Sequence, residues 1–464
     1  MPRGSALASG RGDTEDYKLV RYRLRIGQRM PCHAFTRYGV LLLARGEVVA
    51  TPTQLDRLLY PDIIFSNEPP PRLLPIIRKR QAALGIIEED RADDEVAEEI
   101  KESPVEEALV TQPMDFEEPP PLVPFAEEID SARSLHQETT YHVADLLAQV
   151  RAGRPLDLRE TTRSVDRVLQ SLQRNERAFA SLLRLKDMDS YTFTHSIDTC
   201  VFSLLIARSS GTTKKLSAIG VGALLHDIGK TLVPVHLLRK VGPLTPSEWK
   251  LIQQHSISGT NLVKQSRGHL PEHIDAIAQH HERLDGSGYP LQLLGDQVSL
   301  IGRIVAIADV YDAMTSDRPY RASLGPPAAM RWIISQASKL FDLELVRAFI
   351  ARVGIFPVGS LARLSTGELA VVIKVNAQAL FKPIILAVSD ANGMPLLKPS
   401  LINMAMPPFA NTREIMNLED PHAFDINVDE YLAAVPEEKI VELKERASDP
   451  ETNLFPQSTF NKFA

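Results

Sequence analysis

The feature that most limits the fold of this chain is a series of apolar segments with helical periodicity between residues 126 and 352. In one of them, Val165, Val168, Leu169 and Leu172 recur at three- and four-residue spacing, which is typical of a helix with one buried face. Similar segments follow as far as PAAMRWIISQASKLFD, residues 327–342. The pattern predicts a mainly α fold in which a helical bundle over residues 126–352 is the largest domain.

Shorter segments on both sides of the bundle have a β-like pattern. Runs such as YGVLLLARGEVVA predict a small β-rich N-terminal domain over residues 17–87, after a disordered tail of residues 1–16. Residues 353–425 alternate like strands around Gly367 and Asn392, which predicts a small β-rich C-terminal module. Residues 426–464 are expected to form a polar tail.

The acidic residues are concentrated in one segment. Between Glu88 and Glu118 there are fourteen acidic and two basic residues, a net charge of -12. Because the whole chain has a net charge of -7, the remainder carries +5. Charge and prolines predict a solvated linker over residues 88–125. Outside this segment the chain is only mildly basic and lacks the concentrated positive charge expected of a DNA-binding face. We therefore expect no DNA partner. A small anionic ligand is compatible with this charge.

The sequence also bears on the compartment. No apolar run approaches the ~20 residues of a membrane-spanning helix, and the first residues lack the apolar core of a secretion signal. Cys32 and Cys200 fall in different predicted domains, so a disulfide framework is not expected. These observations predict a cytoplasmic protein without a transmembrane segment.

Histidines and aspartates lie on or beside the apolar helices of the bundle. Any one of them has an ordinary explanation as a hydrogen-bonded residue at the edge of the core. Several together are harder to bury, because each costs several kcal/mol unless something compensates it. The set predicted to bind metal is His195, His226, Asp227, His255, His280, His281 and Asp309.

The types of these residues limit the metal. All are imidazoles or carboxylates, and without a cysteine a structural zinc site is disfavoured. Divalent Fe, Mn, Zn and related ions all accept mixed nitrogen and oxygen ligands, and the ligand types do not choose among them; our expectation is Fe or Mn. Seven ligands exceed the need of one catalytic ion, so we expect two divalent transition-metal ions, with Asp227 as the shared carboxylate.

Three longer motifs then point to a family. The segments HDIGK (226–230), HHERLDGSGYP (280–290) and ADVYDAMTSDRPYR (308–321) resemble the signature segments of the HD-GYP family. That family is a subgroup of the HD metal-dependent phosphohydrolases and is implicated in degrading cyclic di-GMP. The resemblance covers roughly residues 178–350 and implies an HD-type helical bundle. It also implies the same seven metal ligands that the residue types indicate.

The resemblance implies roles for other side chains. Asp227 and Lys230 would be catalytic, and Lys230, Tyr289, Arg318 and Arg321 would contact the cyclic dinucleotide. Arginine is suited to this role because its guanidinium can donate two parallel hydrogen bonds to phosphate oxygens or a guanine edge. The loop around Tyr289 is also expected to contact diguanylate cyclase partners, as the family resemblance implies.

The chain departs from some family members before the first ligand. Where they have a glutamate that binds an additional metal, this sequence has Tyr191, four residues before His195. This favours two ions over three and predicts linear pGpG as the main product, with cleavage to GMP left open. His236, His269 and His273 match no motif and are expected at the surface or behind the ligands.

Three functions agree with these observations. The favoured one is a cyclic di-GMP phosphodiesterase. A catalytically weak sensor that binds a cyclic dinucleotide and signals through its flanking domains is the alternative from another class, but a sensor has no need of the full ligand set and Lys230. A phosphohydrolase for another nucleotide or another cyclic dinucleotide is the third, and only the family motifs argue against it.

Overall fold

The computed structural model describes residues 30, 33–36, 41–43, 49, 63–66, 121–183, 191–212, 214–238, 240, 244–316 and 324–447. The chain divides into two compact units, one formed by residues 1–101 with 319–322 and one by residues 102–318 with 323–464. The predicted tail of residues 1–16 and residues 88–120 of the predicted linker lie outside the described residues.

The first unit contains a small antiparallel sheet. Its strands are β1 (His33–Thr36), β2 (Leu41–Leu43) and β3 (Ile63–Ser66), in the order β2-β1-β3. Ala34 on the central strand is fully buried. These strands fall within the segment for which a β-rich domain was predicted.

The second unit is mainly α, as the periodicity predicts. Its helices are α1 (Phe125–Arg151), α2 (Leu158–Arg174), α3 (Glu176–Leu182), α4 (Tyr191–Ser209), α5 (Leu216–Leu224), α6 (Val235–Leu238), α7 (Pro246–Gln253), α8 (His255–Lys264), α9 (Pro271–Gln279), α10 (Leu300–Thr315), α11 (Pro326–Ser335), α12 (Leu343–Val353), α13 (Val428–Ala433) and α14 (Glu437–Ala447). Short 3-10 helices cover Ile228–Leu232, Gly295–Gln297, Phe409–Asn411 and Pro421–Phe424. Among the described helices, none combines the length and the apolar character needed to span a bilayer.

Helix α4 lies at the centre of this unit. It packs against α1, α5, α10 and α12, and its residues Ile197, Val201 and Leu204 are fully buried. A helix that is apolar around its whole circumference is stable only when neighbours surround it. The central position of α4 therefore follows from its sequence, and it places His195 inside the bundle.

The predicted C-terminal β module is confirmed as a five-stranded antiparallel sheet. Its strands are β4 (Leu361–Leu364), β5 (Leu369–Lys374), β6 (Ile384–Ser389), β7 (Pro395–Asn403) and β8 (Ile415–Glu419), in the order β7-β6-β5-β4-β8. Gly367, with φ +93°, and Gly393, with φ +82°, occupy the β4–β5 and β6–β7 turns, where the left-handed backbone favours glycine.

The structure differs from the predicted polar tail over residues 426–447. Two helices, α13 and α14, lie there and bury Val428, Leu432 and Ile440 in the core shared with the bundle. Glu437 accepts a hydrogen bond of 2.5 Å from the buried Arg177 of α3. The apolar residues are few and widely spaced among charges, so their helical pattern is weak in the sequence.

Helix α9 has a buried histidine at its start that should make stability depend on pH. His273 accepts a hydrogen bond from the backbone N–H of Leu270. Burial lowers the pKa of His273 to about 4. The charge of Glu272 partly opposes this shift of the pKa, and His269 adds to it. The unfolded chain takes up a proton near pH 6.5, whereas the folded chain does so only near pH 4. The free energy of unfolding is therefore fully retained above pH 6.5 and falls between pH 6.5 and 4.

Replacing His273 by glutamine keeps an acceptor for Leu270 and removes the titration. We expect urea unfolding of the variant to lose less stability than the parent between pH 7.5 and 5. The same change at the exposed His236 is the control and should leave the pH dependence unchanged. Equal pH dependence in the His273 variant and the parent would show that this histidine is not responsible.

Candidate metal centre

The described helices bring the seven predicted ligands together in two groups. His195 comes from α4, and Asp309 from α10. The others lie where helices begin or end, so a rigid backbone fixes each of them. One group contains Asp227, His255, His280 and His281, and the other contains His195, His226 and Asp309. Within each group, potential ligand atoms lie within 4.8 Å of one another.

Asp227 lies between the two groups, as expected of a shared carboxylate. Its Oδ1 atom is 3.4 Å from Nε2 of His255 and 3.8 Å from Nε2 of His280. Its Oδ2 atom is 3.4 Å from Nε2 of His226 and 3.7 Å from Nε2 of His195. Each oxygen of one carboxylate therefore faces a different group.

Asp309 also reaches both groups, which the sequence did not indicate. Its Oδ1 atom is 3.3 Å from Nε2 of His195, and its Oδ2 atom is 3.6 Å from Nδ1 of His281. Two carboxylates thus span the centre from α10 and from the start of the 3-10 helix.

The orientation of the imidazoles indicates that a cation belongs between them. The Nδ1–H groups of His226, His255 and His280 donate to the backbone carbonyls three residues earlier, at 2.7–2.9 Å. Their Nε2 atoms therefore carry lone pairs. The Nε2 atoms of His255 and His280 are 3.1 Å apart, so two lone pairs point at each other. A bound cation would turn this repulsion into attraction.

Asp227 gives a second indication that a cation binds at this site. Its Oδ1 atom is buried and has no hydrogen-bond partner among the described residues. A buried carboxylate oxygen of this kind is costly unless a cation compensates it. Together with the nitrogen and oxygen donor set, this observation shows that the residues fit divalent metal ions.

The charge states of three histidines agree with metal binding. Burial lowers the pKa of His255, and it lowers the pKa values of His280 and His281 well below the usual range. At neutral pH these rings are therefore neutral, which is the form that binds metals.

Burial alone would raise the pKa of Asp227, but Lys230 and His226 outweigh it and hold that pKa well below the usual range. His195 is the exception among the imidazoles. Burial favours its neutral form, but hydrogen bonds to Asp309 and Asp312 outweigh burial and raise its pKa to about 9. Binding of a cation at this ring therefore requires loss of its proton.

Asp312 belongs to the candidate site, and sequence reasoning missed it. It is fully buried on α10, one helical turn after Asp309, and its Oδ2 atom is 2.7 Å from Nδ1 of His195. A carboxylate at this nitrogen fixes the ring and its tautomer, so Nε2 points at the centre. The available signal was a second aspartate on the same apolar helix in ADVYDAM.

The predicted substrate contacts are partly described. The ammonium of Lys230 donates to Oδ2 of Asp227, and the Tyr289 ring lies 4.6 Å from the His281 ring, centroid to centroid. Both side chains therefore lie at the centre. Arg318 and Arg321 fall outside the described residues. Among the unmatched histidines, His236 and His269 are exposed and His273 is buried at the start of α9.

The loop that carries Tyr289 folds back onto the residues that follow α9. The backbone N–H of Tyr289 donates to the carbonyl of His281 at 3.2 Å. A Cβ atom at Gly288 would lie 2.4 Å from the backbone nitrogen of Arg283 and 2.6 Å from that same carbonyl, so only glycine fits. The buried Glu282 accepts hydrogen bonds from the N–H groups of Leu291 and Leu293 at 2.7 and 3.0 Å.

Glu282 should therefore control how firmly this loop is held. In Glu282→Gln one oxygen is replaced by a donor, and one of the two loop N–H groups loses its acceptor, which costs ~1–3 kcal/mol locally. We expect the amides of Leu291 and Leu293 to exchange with deuterium about 5- to 100-fold faster. Glu438→Gln, at an exposed position, is the control, and unchanged exchange in the Glu282 variant would contradict this role.

Comparison with known proteins places this site in a family. A profile of the HD domain matches residues 181–345. A cyclic di-GMP phosphodiesterase of Pseudomonas aeruginosa is 34% identical over 313 residues, covering 67% of this chain and 75% of that protein. A cyclic di-GMP phosphodiesterase of Thermotoga maritima is 37% identical over 171 residues, covering 36% of this chain and 46% of that protein.

A third relative is named for a different cyclic dinucleotide. The 3'3'-cGAMP-specific phosphodiesterase 2 of Vibrio cholerae is 37% identical over 127 residues, covering 27% of this chain and 24% of that protein. The chain thus spans three quarters of the Pseudomonas protein and less than half of the other two. On this identity and coverage, with the motifs at residues 226–230 and 280–290, the chain belongs to the HD-GYP family of HD-domain metal-dependent phosphohydrolases.

Proposed function

We propose that this protein hydrolyses cyclic di-GMP, opening one 3'–5' phosphodiester bond to give linear pGpG with the help of two divalent metal ions. The observation that carries the proposal is the position of Asp227, whose two carboxylate oxygens face two separate groups of ligands. Two ions joined in this way are the arrangement that stabilises both the attacking and the leaving oxygen in phosphodiester cleavage.

Seven side chains would hold the ions. The residues proposed as ligands are His195, His226, Asp227, His255, His280, His281 and Asp309. When bound, such ions supply Lewis acidity at the phosphoryl group and make a water molecule acidic enough to attack near neutral pH. Fe and Mn are the proposed metals, since both accept mixed imidazole and carboxylate ligands.

The other side chains act on the substrate. Lys230 is about one-third exposed, so its ammonium can turn from Asp227 to a non-bridging phosphate oxygen and offset its negative charge. Burial raises the pKa of the Tyr289 phenol, which therefore stays protonated and can donate a hydrogen bond to the substrate. Arg318 and Arg321 are proposed as further phosphate or guanine contacts on the basis of the family motif.

Cyclic di-GMP is the proposed substrate because the Pseudomonas relative, which matches over 313 residues, and the Thermotoga relative are both named for it. A relative named for 3'3'-cGAMP makes the hybrid dinucleotide the first competitor to test. The sensor alternative is disfavoured, because a protein that only binds its ligand has no use for a centre in which two carboxylates span both groups.

The test is a comparison of substrates with the full chain, loaded with Mn(II) or Fe(II). Cyclic di-GMP, 3'3'-cGAMP, cyclic di-AMP and pGpG are each incubated, and the products are separated by anion-exchange chromatography. We expect cyclic di-GMP to disappear fastest and pGpG to accumulate. Binding of cyclic di-GMP without cleavage would favour the sensor, and faster cleavage of another dinucleotide would reassign the substrate.

The expected contact with diguanylate cyclases stays a prediction. Two large apolar side chains of the loop, Leu291 and Leu294, are 59% and 57% exposed, so a partner could reach them. Loss of cyclase binding in the double variant Leu291→Ser/Leu294→Ser, with turnover retained, would support a contact at this loop.

A further inference from the structure

Helix α7 is held in place although it buries none of its side chains. Thr245 and Glu248 form a reciprocal capping box at its start, and Pro246 occupies its first turn. Lys240 donates to the Glu248 carboxylate at 2.6 Å and adds an ion pair to the cap. These polar contacts fix the first turn of α7.

One side chain of this helix, Trp249, contacts the ring of Tyr289. Its ring centroid lies 6.0 Å from that of Tyr289, with the two planes at 78°. Tyr289 in turn contacts His281 at 4.6 Å and lies 6.4 Å from His255. Among the described residues, a row of rings thus leads from the candidate metal centre to Trp249.

The indole of Trp249 is available to a ligand. It is 44% exposed, and because its plane is nearly perpendicular to that of Tyr289, at most one of its faces can be covered by that ring. Exposed aromatic residues are common and one alone means little. Trp249 is distinguished by its place, since only one ring separates it from the proposed ligand His281.

From this arrangement we propose that Trp249 stacks against a purine base of the dinucleotide substrate, an inference that rests on the function proposed above. A phosphate of the substrate held at the metal centre places its attached nucleoside beside Tyr289 and Trp249. Stacking on an aromatic side chain uses the π-face that every base has, so it supplies affinity with little discrimination between bases. Trp249 is therefore a determinant of affinity for purine dinucleotides in general, while the choice between guanine and adenine is made by other side chains.

Steady-state kinetics separates this role from a structural one. In Trp249→Ala we expect KM for cyclic di-GMP to rise about 5- to 100-fold, the range of base stacking, with kcat changed less than about threefold. The KM for 3'3'-cGAMP should rise by the same factor, and Trp249→Phe should restore most of the loss. Trp332→Ala is the matched control, because Trp332 is 39% exposed and contacts Phe341 instead of the Tyr289 loop.

Fluorescence gives a readout that does not depend on turnover. The chain has two tryptophans, so Trp332→Phe leaves Trp249 as the only indole. We expect the bisphosphorothioate analogue of cyclic di-GMP, a slowly cleaved probe, to quench its emission in the metal-loaded full chain. In Trp249→Phe the remaining Trp332 should not respond.

The outcomes distinguish this inference from the proposed function. If equilibrium dialysis shows that the analogue binds but the Trp249 emission and the KM of Trp249→Ala stay unchanged, the stacking role is overturned and the phosphodiesterase proposal stands. A KM effect confined to one of the two dinucleotides would also overturn it, since stacking acts on both. If the parent neither binds nor cleaves any cyclic dinucleotide, the proposed function and this inference fall together.

Discussion

Replacing Asp227 by asparagine should remove bound metal and phosphodiesterase turnover together. The side chain keeps its size but loses the charge that faces both groups of histidines, with Oδ1 at 3.4 Å from His255 and Oδ2 at 3.4 Å from His226. Metal charge stabilises a phosphoryl transition state by several kcal/mol, so we expect turnover of cyclic di-GMP to fall by at least ~10³-fold. Metal content of the purified protein, measured by plasma mass spectrometry, should fall from about two ions per chain.

The matched control is Asp425→Asn. Asp425 is exposed and has φ 54°, a left-handed conformation that asparagine tolerates, so the same chemical change there should alter neither quantity. An Asp227→Asn protein that kept its metal and its rate would show that this carboxylate does not join two ions.

The second large effect is expected at Gly229, which lies between Asp227 and Lys230 on the 3-10 helix. A Cβ atom there would lie 1.9 Å from the backbone carbonyl oxygen of His255 and 2.5 Å from the backbone nitrogen of Gly259. Neither backbone atom can yield without moving α8. Gly229→Ala should therefore lower the free energy of unfolding by at least ~1–3 kcal/mol and displace His255 from Asp227.

Urea unfolding, metal content and turnover should all decrease in this variant. Gly325→Ala is the control, because among the described residues its Cβ would meet one atom within 4 Å, Cδ of Pro327 at 3.8 Å, and its backbone suits alanine with φ -58° and ψ 149°. If Gly229→Ala unfolded and turned over like the parent, the close contact of the 3-10 helix with α8 would not be needed for the site.

Much of the candidate site could be predicted from the sequence because its residues stand out chemically. Imidazoles and carboxylates such as His226 and Asp309 interrupt apolar helices, and a buried ionisable group needs compensation wherever the helix packs. Several of these residues also lie within the three long motifs that resemble the family. The mainly α character follows for a similar reason, since periodic apolar faces such as that of α2 must be covered.

The sequence could not show which of several buried acidic side chains faces the candidate metal centre and which supports its surroundings. Asp309 and Asp312 lie one helical turn apart on α10, and only the packing of α4 places one at the centre and the other behind His195. Glu282 is another case, since an acidic residue beside two histidines looks like a ligand or a surface charge. Its bonds to Leu291 and Leu293 depend on how the loop folds back.

The contacts of Arg177 have a consequence for how this protein is made. Its guanidinium is buried in the first part of the helical bundle, yet it donates to the carbonyl of Ile373 at 3.1 Å and to Glu437 at 2.5 Å. These two partners are translated long after the arginine, and the apolar Ile440 joins the same core later still. This buried charge can meet both acceptors only after Glu437 has been synthesised, so we expect the packing around Arg177 to be completed late in synthesis.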